Sequence, residues 1–372
     1  MKKIIFLELA NNCAKFFLIT LLTISVIIWV LQSVNYLDYV VEDGHGFLVY
    51  FNYTIFSFPK IFSRIFPFAI FLAFSYIFLK YEDKNELVIF WNFGIQKINF
   101  IKFFIKYSLF FVFLSLLLNS IIVPYTQDKA RSFIRSSDLD FFGSILKPKK
   151  FIDIVENLTI YFDEESKNGT MKNVLIKENI KKNNSRMIFA KLGVFEKRGN
   201  KKVLVLYDGT TTNFLNGKLS EFQFSKTDFN ITNFSSRTVK QKKIQENSTK
   251  ELIECLFAIK ELKKNLTITN CTPQGLENIY IELYKRLIKP LYITFLITIS
   301  LLFILKSKTD PLFRSEKIKI YSLGFMSILF IESSSKFINL NLIQNFILSI
   351  MPIILVFFTY WYFLKRLKIQ KK

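Results

Sequence analysis

Six stretches of this chain are long, apolar and almost free of charge. They run from Phe16 to Val34, Thr54 to Lys80, Tyr107 to Gln127, Ile288 to Lys306, Ile320 to Phe337 and Phe346 to Leu364. A helix that crosses the hydrocarbon core of a bilayer needs roughly 20 mostly apolar residues. Hydrophobic residues make up 51% of the chain and phenylalanine occurs 44 times, so neither a disordered chain nor a purely soluble fold fits. The sequence therefore predicts an α-helical membrane protein with six transmembrane helices.

The first apolar stretch resembles a signal peptide. Lys2, Lys3 and Lys15 precede it, as basic residues precede the apolar part of a secretory signal. The stretch is longer than such an apolar part, however, and residues 35–38 (Asn-Tyr-Leu-Asp) follow it in place of a small-x-small cleavage site. We expect it to remain as an uncleaved membrane anchor.

The excess of positive charge follows the apolar stretches. The chain has 51 Lys and Arg against 29 Asp and Glu, a formal net charge of +22, which on its own is typical of nucleic-acid binding. Here the cations cluster in short segments beside the apolar stretches, where they set membrane topology and meet anionic headgroups. These segments are residues 2–15, 80–106, 306–319 and 365–372. With six spans all four lie on one side, so both termini are predicted to be cytoplasmic.

A long polar region separates the third and fourth apolar stretches, at about residues 128–280. Five segments in it alternate or run apolar at strand length: residues 158–162, 173–177, 186–191, 202–207 and 221–224. The pairs Asn168-Gly169, Asp208-Gly209 and Asn216-Gly217 are typical of turns between them. Short, evenly spaced strands predict an antiparallel sandwich or open barrel on the outer side. Residues 252–264 have helical periodicity.

Most catalytic templates are missing from the sequence. It contains no GxxxxGK[ST], HExxH or GxSxG pattern, so it predicts neither a nucleotide site of its own nor a hydrolase of these classes. One histidine, His45, and three cysteines give no His-rich or Cys-rich metal site. Cys255 and Cys271 lie in the outer polar region, where they either pair as a disulfide or remain two buried thiols. The sequence thus predicts no catalytic residue, metal or cofactor.

The cytoplasmic loop between the second and third stretches predicts a short amphipathic helix at about residues 82–94. Asn85 is placed to cap it, and Glu86 lies in its first turn, where negative charge suits the helix dipole. Four further residues recur at helical spacing and form one apolar stripe: Leu87, Phe90, Trp91 and Gly94. This stripe either rests on the lipid interface or is offered to a groove of a cytosolic partner.

Four cations lie at matched depth in the second stretch and at the start of the fourth: Lys60, Arg64, Arg286 and Lys289. Lys60 and Arg286 each precede a lysine at the predicted inner interface by 20 residues, about 30 Å of helix. Within each helix the two cations share a face. They either extend to ordinary headgroups or form an anion site inside the bundle that suits lipid phosphates. In the second case the guanidinium fork favours Arg286 over Lys60.

Several motifs, taken in order along the chain, resemble one family. They are residues 79–94 with their Glu-Leu and closing Gly, Pro59 and Pro67 at the entry to the second stretch, residues 204–209 followed by Phe222 and Phe224, and residues 282–291. Together they resemble the lipopolysaccharide export permeases LptF and LptG over nearly the whole chain. Residues 29–38 resemble LptF more than LptG. One departure is the outer end of the first stretch, where Gln32 and Asn35 stand in place of the basic residues that family members tend to carry.

The resemblance implies a fold, a function and a set of partners. It implies transmembrane helices at residues 1–127 and 281–372 and a jellyroll-like periplasmic β domain at 128–280. The chain would be half of the membrane domain of an ABC transporter in the bacterial inner membrane, and not itself an enzyme. The expected partners are an LptG-like permease, two copies of an LptB-like ATPase, and LptC-like and LptA-like periplasmic proteins. Lipopolysaccharide would be the cargo.

The resemblance also gives a role to the short cytoplasmic helix. It places the ATPase contact at Glu86. Glu82 and Asp83 precede the helix, so we expect alanine there to be tolerated better than at Glu86.

Two other classes of protein remain open, a membrane-anchored sensor with an outer β domain and a membrane-anchored envelope enzyme acting on lipid or peptidoglycan. Co-purification with an ATPase separates a transporter from both.

The one-sided distribution of loop cations leads to a topology that labelling can test. We expect both termini in the cytoplasm and residues 128–280 outside, because basic loops are retained on the cytoplasmic side. In intact cells whose native cysteines are replaced, a membrane-impermeant maleimide should label Lys218→Cys and spare Lys371→Cys. Labelling of Lys371→Cys would contradict this topology.

Overall fold

The structure is a computed structural model. It describes residues 2–37, 47–136, 148–155, 158–166, 169–181, 184–198, 201–215, 218–230, 242–260, 271 and 275–369. The chain divides into two compact units. The helical unit joins Met1–Ser33, Thr54–Ala130 and Lys242–Lys372, and the β unit joins 34–53 and 131–241.

The long helices form where the sequence has its apolar stretches. The α-helices of the described residues are α1 Lys2–Asn35, α2 Phe47–Asp83, α3 Leu87–Asn92, α4 Lys97–Leu117, α5 Val123–Ser136, α6 Thr249–Lys260, α7 Leu276–Leu283, α8 Tyr292–Ser300, α9 Phe313–Ser334 and α10 Leu342–Ile369. Short π-helical and 3-10 segments join α4 to α5 and α7 to α8. α9 begins at Phe313, before the predicted fifth stretch. Its first turns are polar, so the apolar stretch does not include them.

Among the described residues, five helical segments are long and apolar enough to cross a membrane: Lys3–Asn35, Phe47–Asp83, Lys97–Arg135, Leu276–Ile304 and Leu342–Leu367. They coincide with five of the six predicted stretches, which confirms a helical membrane protein. The remaining stretch is α9, a 22-residue helix. It packs closely within the helical unit, since a Cβ at Gly324 would overlap the ring of Phe71. The count of six spans stays a prediction.

Phenylalanine fills the core of the helical unit. Phe17 of α1 meets Phe66 of α2 and Phe111 of α4 edge to face, with ring centroids 5.0 and 5.2 Å apart. Phe78 of α2 meets Phe104 of α4 in the same way at 5.0 Å. Such ring pairs contribute roughly 0.5–1.5 kcal/mol beyond the burial of their area. They hold α1, α2 and α4 together as one packed body.

Two π-helical segments each lead into a proline. Leu118–Ile122 precedes Pro124, and Tyr284–Ile288 precedes Pro290. Proline has no N–H to donate and its ring crowds the preceding turn, so a local change of helix type is the expected response. The carbonyl of Ser120, four residues before Pro124, accepts a hydrogen bond from the Thr249 hydroxyl at 2.7 Å. A side chain from α6 thus donates to a carbonyl to which Pro124, having no N–H, cannot donate.

The described part of the β unit contains one antiparallel sheet. Its strands are β1 Ile152–Val155, β2 Leu158–Tyr161, β3 Glu164–Glu165, β4 Thr170–Lys181, β5 Asn184–Arg198, β6 Lys201–Leu215 and β7 Lys218–Asn230. They pair in the order β1-β2-β4-β5-β6-β7, with β3 on β4. Alternate residues such as Leu158 and Ile160 in β2, or Leu204 and Leu206 in β6, are buried on one face. The antiparallel β region is therefore confirmed, and its jellyroll arrangement stays a prediction.

The predicted turn at Asp208-Gly209 is wrong. The pair lies inside β6, where Asp208 has a φ of +49°. Tyr207 and Gly209 each pair with a residue of β5 and of β7, and the register steps over Asp208 between them. Asn173 has a φ of +53° within β4. Asp and Asn tolerate this left-handed conformation, and a Cβ at Gly209 would overlap the carbonyl oxygen of Phe189. The residues mark a bend in continuous strands.

A hydrogen-bonded carboxylate supports this bend. Asp163 accepts hydrogen bonds from the Tyr161 hydroxyl at 2.7 Å and from the Asn173 side-chain amide at 2.8 Å. These two donors lower the pKa of the Asp163 carboxyl, because they favour its charged form. Gly169, at φ +72°, donates its N–H to the Ser166 carbonyl in a turn. Asn168, Asn216-Gly217 and His45 lie outside the described residues.

Cys255 and Cys271 form a disulfide, which decides between the two alternatives that the sequence left open. Their Cα atoms lie 5.9 Å apart. Cys255 belongs to α6, and the end of the predicted helix at residues 261–264 lies outside the described residues. α6 groups with the helical unit, although the division of the sequence placed it in the region 128–280. Those domain bounds stay a prediction.

Candidate functional site

The first candidate site is the cytoplasmic segment around α3, which begins with a sharp turn after α2. The Glu86 N–H donates to the Tyr81 carbonyl at 2.8 Å and the Asn85 N–H to the Glu82 carbonyl at 3.0 Å. Asn85 has a φ of +58°. This Schellman arrangement satisfies the last carbonyls of a helix through one left-handed residue. Asn85 therefore ends α2, and the predicted Asn85 cap is wrong, because Glu86 occupies the N-cap position without a side-chain hydrogen bond.

The same arrangement closes α3. The Ile95 N–H donates to the Phe90 carbonyl at 3.0 Å and the Gly94 N–H to the Trp91 carbonyl at 2.9 Å. Gly94 has a φ of +68°, which glycine adopts without steric cost. Gly94 therefore ends the segment because its backbone conformation there is one that glycine adopts most easily. Two matching turns fix the direction of α3 between α2 and α4.

The predicted apolar stripe faces the helical core. Leu87 is 0% exposed and Phe90 is 2% exposed. The Phe90 ring lies 5.3 Å from Phe100 of α4 and 5.6 Å from Phe6 of α1, and Trp91 lies 5.8 Å from Phe100. These contacts anchor α3 to α1 and α4. The exposed face of α3 is therefore a different one, and the hypothesis that this stripe enters a groove of a partner stays a prediction.

The exposed face of α3 is formed by other apolar residues. Val88, Ile89 and Phe93 are 44%, 47% and 46% exposed. Glu86 precedes them, with a side chain that is 37% exposed and an ion pair to Lys84 at 3.9 Å. An exposed ion pair of that length holds the carboxylate only weakly. Sequence reasoning missed this face because its residues lie between the positions of the helical stripe.

Glu82 and Asp83 have structural roles that the sequence did not predict. Glu82 is 8% exposed and accepts the backbone N–H of Lys308 at 2.9 Å. The Asp83 carboxylate accepts from Lys317 at 3.1 Å, and the Asp83 carbonyl accepts from the Lys308 ammonium at 2.8 Å. These bonds tie the end of α2 to residues 305–312 and to α9. These bonds do not support the expectation that alanine is tolerated better at Glu82 and Asp83 than at Glu86, which stays a prediction.

The second candidate site is the cluster of four predicted lipid-binding cations, which lies within the helical unit. Arg64 is an electrostatic neighbour of both Lys60 and Lys289. Lys60 and Arg64 are exposed, and neither forms an ion pair within the described ranges. Arg286 and Lys289 do form ion pairs. The structure therefore divides the predicted set into two exposed cations on α2 and two paired cations between α7 and α8.

Arg286 is a buried residue whose whole guanidinium is engaged. Nε donates to Glu282 at 2.9 Å, Nη1 to the Asn247 carbonyl at 2.9 Å and the Thr249 hydroxyl at 3.2 Å, and Nη2 to the Gln245 carbonyl at 3.0 Å. The residue is 2% exposed. These contacts fasten the segment before α6 to the start of the fourth apolar stretch. The Glu282–Arg286 spacing of four residues was a signal in the sequence for this pair.

Lys289 is held by an acid from another helix. Its ammonium lies 2.9 Å from the Glu332 carboxylate of α9, and the side chains are 16% and 49% exposed. An acid within an apolar helix is costly unless it is paired, so Lys289 accounts for Glu332 in the predicted fifth stretch. A phosphate would have to take the place of Glu332 in order to bind Lys289 fully.

The candidate sites in the described part of the chain are surfaces suited to contact with other molecules. Among them, no group of three or more His, Cys, Asp or Glu side chains is placed to hold a metal ion. What the geometry does assemble is an anchored helix with an exposed apolar and acidic face, and a pair of exposed cations on α2. The first arrangement suits contact with a protein, and the second suits contact with an anion.

Known protein families provide a match to this combination of helices and β-sheet. Residues 9–366 of the chain match the family described as lipopolysaccharide export system permease LptF/LptG. The chain belongs to this family. It is therefore a membrane permease component of lipopolysaccharide export, a transporter component of the Lpt system rather than a classical enzyme, and a multi-pass protein of the inner membrane. The resemblance to this family is confirmed, whereas the preference for LptF over LptG stays a prediction.

One curated relative of this permease is the uncharacterized protein RP871 of Rickettsia prowazekii (strain Madrid E). The two are 23% identical over 287 residues, which cover 76% of this chain and 76% of the relative. The printed name of the relative carries no function. The assignment of the permease family therefore rests on the family match.

Arg286 is predicted to hold the segment before α6 in place. In Arg286→Gln, Glu282 and the carbonyls of Gln245 and Asn247 lose their shared donor, and we expect a loss of about 3–5 kcal/mol in stability. Thermal unfolding of the purified permease in detergent measures this change. Lys285→Gln removes the same charge from an exposed neighbour and should leave the midpoint unchanged. Equal midpoints for the two variants would contradict the structural role of Arg286.

Proposed function

We propose that this permease is half of the membrane domain of an ABC transporter, in the LptF position beside an LptG-like permease. It extracts lipopolysaccharide from the inner membrane and passes it through its periplasmic β domain to LptC-like and LptA-like proteins. Two copies of an LptB-like ATPase supply the energy. Both termini are cytoplasmic in this proposal. The observation that carries it is α3, a short helix anchored in the core on one face and apolar and acidic on the exposed face.

A permease of this kind needs a rigid contact with its ATPase. The sequence contains no P-loop, so we assign ATP hydrolysis to a separate chain. Val88, Ile89 and Phe93 provide exposed apolar area for the contact. Leu87 and Phe90 seat the same helix in the core of the unit. Because packed interiors deform little, a push on the exposed face of α3 moves α1 and α4 with it.

Glu86 gives this contact its orientation. Its carboxylate precedes the exposed apolar face, and its ion pair with Lys84 is long and exposed. It is therefore available to a basic residue of the ATPase. Removing one side of a charge pair that is desolvated in an interface costs about 2–5 kcal/mol. The apolar residues provide contact area, and Glu86 fixes the register.

Glu86→Ala is expected to weaken retention of the ATPase or to uncouple ATP hydrolysis from transport. Ile89→Asp should act in the same way, because it places a charge on the apolar face. Both residues are solvent-accessible in the unit, so the chain should still insert and fold. Reconstituted complexes allow ATPase rate, lipid release and ATPase retention to be compared.

The control for these variants is Gln96→Ala, which changes an exposed residue at the start of α4. It should retain the ATPase and transport at the wild-type rate. If Glu86→Ala and Ile89→Asp both transport like Gln96→Ala, then α3 is not the coupling contact. Glu82→Ala is unsuitable as a control, because Glu82 bonds the Lys308 N–H.

Lys60 and Arg64 are the cations that we assign to the phosphates of the lipid. Both are exposed on α2, and Arg64 is the stronger candidate because a guanidinium binds phosphate oxygens as a fork. Lys289 binds the lipid phosphate only if that phosphate replaces Glu332 as its partner. Arg286 positions the neighbouring segment. This order differs from the one expected from the sequence, in which Arg286 ranked above Lys60.

Photo-crosslinking tests the assignment of these cations. A photo-reactive amino acid at Lys60 or Arg64 should capture lipopolysaccharide in cells, because both positions lie at the proposed anion rim. Ile55, which is 42% exposed on the same helix, is the control and should capture far less. Equal capture from Ile55 would reduce the two cations to markers of membrane depth.

A further inference from the structure

A cavity lies at the end of the helical unit where α2 meets α9, far along α2 from Lys60 and Arg64. Its volume is about 930 Å³. The end of the fourth apolar stretch, the loop that follows it to Asp310, and one face each of α9 and α10 line it. On α10 the lining residues share one face of the helix, at Phe358, Thr359, Tyr362 and Arg366. One face of each of these two helices therefore contributes to the lining.

The lining changes from charged to apolar along these walls. Lys319 of α9 and Arg366 of α10 lie at one end. Leu323 is one turn further along α9, and Phe358 is two turns back along α10. Phe303 adds apolar surface from the neighbouring helical stretch. A small water-soluble anion would use only the charged end, whereas an amphipathic molecule with a negative head fits the whole lining.

Cations outnumber acids in this cavity. The lining contains five cations and two acids, a net charge of +3: Lys97, Lys306, Lys317, Lys319 and Arg366 against Asp310 and Glu316. Lys306 is compensated by Glu316 at 3.2 Å, and Lys317 by Asp83 at 3.1 Å. Lys97 donates to the Ile304 carbonyl at 3.1 Å. These three cations thus have acceptors within the unit.

Arg366 and Lys319 are the cations with capacity for a ligand. Arg366 forms no ion pair within the described ranges, and its Nε donates to the Tyr362 hydroxyl at 3.4 Å. The two Nη atoms at the end of its fork remain for a phosphate, which such a fork binds well. The Lys319 side chain is 69% exposed and only loosely paired, at 3.7 Å from Glu316.

We propose that this cavity binds an anionic phospholipid of the surrounding leaflet, which is the cytoplasmic leaflet in the orientation given above. Its phosphate lies between Arg366 and Lys319, and its first acyl carbons lie against Leu323 and Phe358. The lipid bridges α9 to α10. Since Lys317 of α9 also bonds Asp83 at the end of α2, the bound lipid steadies the base of the coupling segment. The site does not require that the chain transports lipopolysaccharide.

Native mass spectrometry of the purified full chain in detergent tests this site with three probes. They are dioleoyl-phosphatidylglycerol, dioleoyl-phosphatidylcholine and inorganic phosphate. Phosphatidylglycerol should bind about tenfold more tightly than phosphatidylcholine, because both lipids carry the phosphate but the cationic lining repels the choline ammonium of the second. Inorganic phosphate should not displace it, because phosphate makes no use of the apolar walls.

Arg366→Gln should lower phosphatidylglycerol binding about tenfold, because the phosphate loses one charge-assisted hydrogen-bond donor. The residue is exposed, so the variant should fold. Lys365→Gln removes the same charge from the next position on α10, outside the cavity lining, and should bind like wild type. A photo-reactive phosphatidylglycerol should crosslink to residues 305–323 and 358–366.

Three results would overturn the proposal. They are equal binding of the two lipids, wild-type binding by Arg366→Gln, and displacement of phosphatidylglycerol by inorganic phosphate, which would indicate a site for soluble anions. None of these measurements depends on lipopolysaccharide or on the ATPase. Failure of the lipid site is therefore distinguishable from failure of the transporter assignment.

Discussion

One buried guanidinium joins the parts of the helical unit that apolar packing alone would leave loosely connected. Arg286 is removed from solvent, and a buried charge is tolerated only when it is paired and hydrogen-bonded. Its partners lie in α7, in the segment before α6 and at Thr249, the first residue of α6, which in turn donates to the Ser120 carbonyl. That carbonyl lies four residues before Pro124. The two π-helical segments of the unit are thus linked by hydrogen bonds that start from one side chain.

The cations of the helical unit differ in whether protein acceptors surround them. Where a cation is buried, as Arg286 is, acceptors enclose it, and where it is exposed, as Lys60 and Arg64 are, it is open to an external anion. Between the two cationic ends of the unit lies a core of interlocked phenylalanine rings. The same core holds α3, so a force applied at α3 would reach the long helices through contacts between rings. This continuity supports the proposed coupling role of α3.

The α3 segment illustrates how far sequence reasoning reaches. The sequence located the segment, its amphipathic character and its closing glycine. It did not identify the face that is presented, because both faces of this helix carry large apolar residues. The choice is made by Phe6 and Phe100, which receive Phe90 and come from other parts of the chain. The left-handed Asn85 was likewise misread as a cap, since an asparagine near a helix boundary serves either end.

The sequence by itself determined the apolar helices, the antiparallel β region and the permease family, because these follow from patterns that are local in the chain. Only the tertiary structure decided that Cys255 and Cys271 pair, that Asp208 bends a strand instead of ending it, and that the Arg286 guanidinium is buried and bonded to the Gln245 carbonyl. Each of these outcomes depends on which acceptor, thiol or strand comes near from a distant part of the chain. The Gln245 carbonyl that Arg286 binds, for example, lies 41 residues away in the sequence. Local periodicity shows which residues are apolar, but hydrogen-bond partners are chosen by the fold.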